Sequence, residues 1–109
     1  MKSVYRTALL IWVALFSVES YAVDTAFRNI EKVSVDGTGA DAVYYFYNQT
    51  EGWGANGCAS AFSVYILENS PGAKSILSLA LTAKSTGIRV SFKGTCGGDY
   101  MDVNHITLE

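Results

Sequence analysis

One segment of this chain, residues 70–87 (SPGAKSILSLALTAKSTG), carries helical punctuation at both ends, while the segments around it are patterned as strands. Ser70 suits an N-cap, Pro71 suits the first helical position where its missing N–H costs nothing, and Gly87 suits the C′ position. At about 100° per residue, Ala73, Ile76, Leu77, Leu79, Ala80, Leu81 and Ala83 sweep an arc of roughly 200°, leaving Ser75, Ser78 and Thr82 as a thin polar seam. A helix resting on one sheet needs an apolar stripe about half that wide. The segment therefore has to lie on a sheet, and its second flank has to meet either a further layer of the same chain or another subunit. Ile76, Leu79 and Ala83 fall along one side and Leu77 and Leu81 along the other, which makes Ile76, Leu79, Leu81 and Ala83 the candidate oligomer-interface residues.

The chain available to build that cover is short. Lys2 and Arg6 precede an uncharged run at residues 8–18 (ALLIWVALFSV), and Ser20-Tyr21-Ala22 places small residues ahead of a break. This is the pattern of a secretory signal peptide over residues 1–22, cleaved after Ala22. The run falls short of the roughly 18–20 apolar residues that span a bilayer, and no second run follows. The mature chain is then residues 23–109, one small domain, secreted or periplasmic. Export sends Cys58 and Cys96 to an oxidising compartment, so a disulfide between them is expected. Neither cysteine sits in a C-x-x-C, and with one histidine they make a poor zinc site.

Removing Lys2, Arg6 and Glu19 from the 8 basic and 10 acidic residues leaves six and nine, a formal net charge of −3. The six remaining cations are scattered, so the electrostatic footprint of a nucleic-acid binder is missing.

Alternation marks the strands. Residues 27–35 (FRNIEKVSV) end with Val33 and Val35 on one face and Lys32 and Ser34 on the other. After a turn-rich DGTGAD comes AVYYFYN, whose aromatic density favours a pleated strand. Val43, Tyr45 and Tyr47 face one way and Ala42, Tyr44 and Phe46 the other. This strand is either covered on both faces or offers an aromatic surface to a partner. CASAFSVYILEN sets Phe62, Val64 and Ile66 against Ala61, Ser63 and Tyr65. Beyond the helix, IRVSFKG places Ile88, Val90 and Phe92 inward, TCGGD turns the chain, and VNHITLE sets Ile106 and Leu108 against His105 and Thr107. The order is β-β-β-α-β-β, mostly β with one helix. It is the order of a small five-stranded OB-fold-like barrel plugged by its helix. An α+β sheet with the helix packed on one face is the alternative.

The run NSPGAKSILSLALTAKSTGIRVSFKGTC, with the final strand HITLE, resembles a pattern in short exported bacterial proteins of uncharacterised function. More distantly it resembles the B subunits of AB-type bacterial toxins, in the subtilase-cytotoxin and pertussis-like branch. That resemblance implies an OB-fold with a disulfide, binding host glycans as a pentamer. Those subunits carry aromatics just before the T-G turn, where this chain has Ala83, Lys84 and Ser85, so none of their sugar-binding residues transfers.

The remaining residues point to binding and not to catalysis. Trp53, between Gly52 and Gly54, can either stack on a ligand or fold back as a lid on the core. With Tyr44, Tyr45 and Tyr47 it forms the candidate set for a glycan or cell-surface receptor. Asn48-Gln49-Thr50 fits a glycosylation sequon. His105 is the sole histidine, without a nucleophile elbow, H-E-x-x-H or paired-carboxylate motif beside it. Asp36 with Asp41, or Asp99 with Asp102, read as turn caps ahead of calcium ligands. The expectation is an exported binding module that is not an enzyme and needs no cofactor or metal. The alternative is a structural subunit that assembles with itself or with another exported protein.

Overall fold

The computed structural model describes residues 22–58, 61–97 and 100–109, and the expected signal peptide, apart from Ala22, lies outside them. Six strands and one long helix follow one another: β1 (Val23–Asp24), β2 (Lys32–Asp36), β3 (Val43–Tyr47), β4 (Ser63–Leu67), α1 (Ala73–Thr86), β5 (Val90–Gly97) and β6 (Tyr100–Leu108). A short 3-10 turn, Gly39–Asp41, joins β2 to β3. The strands form one open mixed sheet in the order β1-β5-β6-β4-β3-β2. β2, β3 and β4 make an antiparallel meander, β5 and β6 a hairpin, and the two units join where β4 runs parallel to β6.

The mostly-β architecture with one helix is as the sequence predicts. The five-stranded closed barrel is not what forms. The additional strand Val23–Asp24 pairs with β5 at one end of the sheet, and β2 closes the other end without meeting it.

The core sits between α1 and the sheet's inner face. Register places Val33, Phe46 and Val64 side by side, with Val90, Phe92, Met101 and Val103 on the neighbouring strands. Phe46 stacks on Phe92 at 5.3 Å between ring centroids. α1 enters this core through Ala73, Ile76, Ala80 and Ala83. Three of those four are alanines, so the helix backbone comes close to the sheet. The expected second cover is absent from the described residues: Leu79 and Leu81 are 44 % and 47 % exposed, and Leu77 is half-buried. The helix also begins later than its punctuation suggests. Ser70 and Pro71 belong to a turn closed by the Ala73 N–H donating to the Ser70 carbonyl, and Gly72, at φ 78°, takes the cap position. Gly87, at φ 75°, ends the helix in the left-handed conformation that glycine adopts without strain.

One feature fixes the hairpin internally and another ties it to the rest. The β5–β6 register slips between Lys93 and Gly94, and a Cβ on Gly94 would lie 2.0 Å from the Asp102 carbonyl oxygen, so only glycine fits. The Cys58–Cys96 disulfide ties the loop after β3 to the end of β5. Among the described residues no helix is long and apolar enough to cross a membrane.

Candidate functional site

The sheet's outer face, opposite α1, collects the tyrosines. In an antiparallel pair, directly opposed residues share a face, so the register can be read across the strands. One row runs Lys32, Tyr47, Ser63, Tyr100, and the next runs Ser34, Tyr45, Tyr65, Asp102. In the first row a small serine stands between two tyrosines. Strands two steps apart are separated by about 9–10 Å. Ser63 itself is buried, so it packs beneath this row and does not stand open to solvent. Tyr47, Ser63 and Tyr100 line an open groove of about 760 Å³ together with Ser34, Asp36, Tyr45, Gln49 and Phe62 among others.

The walls are held in place by neighbours. Tyr45 lies 6.2 Å from Tyr47 and 6.1 Å from Tyr65 between centroids. The Lys32 ammonium sits 5.2 Å from the Tyr47 ring centroid, and the Ser34 hydroxyl donates to the Tyr47 phenol oxygen at 3.4 Å. Burial, then the charge of Asp102 and the neighbouring Tyr45, push the Tyr65 phenol above its ordinary range. It therefore stays a protonated donor at any physiological pH. The groove's outer wall, Tyr100, is 53 % exposed, and Phe62 is exposed beside it.

The four aromatic candidates from the sequence divide three ways. Tyr45 and Tyr47 stand together on the outer face. Tyr44 is on the opposite face, where its hydroxyl donates to the Glu68 carboxylate and is held above its usual pKa by that bond; Lys74 reaches the same carboxylate at 3.7 Å. Trp53 offers no surface platform, because it is 0 % exposed. Its indole N–H donates to the Phe46 carbonyl at 3.1 Å and its ring meets Phe92 edge-on at 5.0 Å, which is the lid-on-the-core arrangement. Of the interface candidates, Ile76 and Ala83 are spent inside the chain, while Leu79 and Leu81 face outward.

Phe62, Tyr100, Gln49 and Ser63 complete the groove and escaped the sequence reading. Phe62 shares parity with Val64 and Ile66, but β4 starts only at Ser63, and the irregular chain before it buries Ala61 and turns Phe62 out. Tyr100 lies next to the predicted turn, yet β6 already begins there. The sequon asparagine is buried: its side-chain amide donates to the Asn29 carbonyl and accepts from the Glu51 N–H. His105 is exposed, with Thr107 as its neighbour at 3.1 Å. Among the described residues no three His, Cys, Asp or Glu side chains gather in a metal-binding group.

No family model, curated protein or solved structure matches this chain.

Proposed function

We propose that the chain is an exported, non-catalytic binding module whose outer sheet face takes a glycan. The observation that carries this reading is the open groove on the outer face, lined by Tyr45, Tyr47 and Tyr100. A pyranose offers an apolar C–H face on each side and hydroxyls around its rim. The phenol rings suit the faces, and Ser34, Asp36 and Gln49 suit the rim, because an open polar margin and a few aromatic contacts fix orientation without enclosing the ligand. Export is supported by the Cys58–Cys96 disulfide. A toxin-B-subunit-like role is one form of this reading. The open sheet departs from the closed barrel of those subunits, so the tyrosine-lined groove and not the resemblance supports it.

The test is a glycan array followed by titration of the best glycan. Tyr47→Ala and Tyr100→Ala should each weaken binding about tenfold, the scale of one lost stacking contact. Tyr44→Phe, on the opposite face, should leave it unchanged. Absence of any glycan signal, or a signal that survives both alanine variants, sinks the proposal.

A second reading is supported by Leu79 and Leu81, exposed on either flank of α1: a subunit that assembles with itself or with another exported protein. Native mass measurement of material purified from the exporting host decides between them. A complex lost in Leu79→Glu or Leu81→Glu, with no glycan signal, favours assembly.

A further inference from the structure

We infer that two copies of this chain pair through β2, edge to edge and antiparallel, in a two-fold dimer. β2 ends the sheet, paired to β3 on one side only, so the backbone donors and acceptors along its other side have no strand partner. Natural sheets seldom leave such an edge undefended. Here it is five residues long, and the apolar Val35 on it is 57 % exposed.

What identifies the occupant is the sequence of the strand itself, Lys32-Val33-Ser34-Val35-Asp36. A two-fold axis through Ser34 sets Ser34 against its own copy, Val33 against Val35 of the second copy, and Lys32 against Asp36 of the second copy. Every opposed pair is then matched: apolar with apolar on the inner face, cation with anion on the outer face, twice over by symmetry. Isologous interfaces have this self-complementary form. An antiparallel two-fold can pass through either kind of residue pair, so whichever alternate residues direct their N–H and C=O groups outward, each donor meets an acceptor. A parallel pairing in register would instead oppose Lys32 to Lys32 and Asp36 to Asp36. Opposite charges directly across a strand pair stabilise it and like charges oppose it, so the sequence selects the antiparallel partner.

The axis runs perpendicular to the sheet, and both outer faces therefore remain on one side of the composite sheet. The paired strand shares Ser34 and Asp36 with the margin of the groove, and the test reads association and not glycan binding, so the two readings fail separately.

Charge reversal tests it. Wild-type protein should sediment as a dimer at about 100 µM, the range expected of a small edge contact. Lys32→Glu or Asp36→Lys alone creates two like-charge pairs per dimer and should weaken association by about tenfold or more. The double variant Lys32→Glu/Asp36→Lys restores both pairs with inverted sign and should return to within about threefold of wild type. Both side chains are exposed, and unchanged melting curves would certify that each variant is folded. A monomeric wild type, a dimer indifferent to the single reversals, or a double variant no better than the singles overturns the inference. So does association that responds to Leu79→Glu and Leu81→Glu but not to the charge reversals.

Discussion

Trp53 shows how far one residue can depart from its local signal. Flanked by glycines in a loop, it has the sequence profile of a mobile contact residue, yet its partners Phe46 and Phe92 belong to strands on either side of the helix, and nothing local announces them. Trp53→Ala should cost about 3–5 kcal/mol, the range for removing a large aromatic from a packed core, measured by denaturant unfolding. Its emission should also be that of a ring shielded from water. Alternation does put Tyr45 and Tyr47 on one face and Tyr44 on the other, but with aromatics on both faces it does not say which face turns outward. Glu31 offers a pH signature. The Thr50 hydroxyl, then the Gln49 and Thr50 amides, donate to its carboxylate and hold its pKa below the ordinary 4.5. A lowered folded pKa contributes stability above the unfolded value and loses it as pH falls through the folded one. Glu31→Gln should therefore melt below wild type at neutral pH, and the gap should close on acidification past 4.5. A gap constant across that range refutes the assignment.

At the scale of elements, α1 is the case where propensity and packing part company. Hydrophobic periodicity gives the helix its place, but it cannot say that alanines rather than leucines meet the sheet, because that depends on how closely the two backbones approach. Ala80 is fully buried, so Ala80→Leu should destabilise by about 1–3 kcal/mol through overpacking, whereas Leu79→Ala and Leu81→Ala should each fall within about 0.5 kcal/mol of wild type. Thermal or denaturant unfolding of the three variants checks the order; equal losses would mean the leucines are covered. The helix start was misplaced by the same kind of competition, Ser70 and Pro71 being good cap residues that the chain uses for a turn. β1 was illegible because two residues are too few to alternate.

For the whole molecule, the order of elements from β2 onward was readable from the chain and the closure was not, since an open sheet and a barrel differ in long-range pairing that no local pattern encodes. The disulfide closes a loop across 38 positions of sequence. In the chain-entropy view it restricts the unfolded state by about 4 kcal/mol. The Cys58→Ala/Cys96→Ala variant should lose about that much stability in unfolding experiments and, below its melting temperature, keep the outer face intact. The parallel contact between β4 and β6 has a further meaning. Among the described residues it is the only strand ladder that joins the meander to the hairpin, and its partners, Ser63 and Tyr100, are far apart in the chain, so with the pairing of β1 to β5 it belongs to the non-local topology that makes folding slow. The two tyrosines beside Ser63 belong one to each unit. A ligand resting on both would thus act as a clamp across the seam, with its binding energy added directly to the docked state, and slowed separation of the two units under ligand would register in hydrogen exchange at β4 and β6.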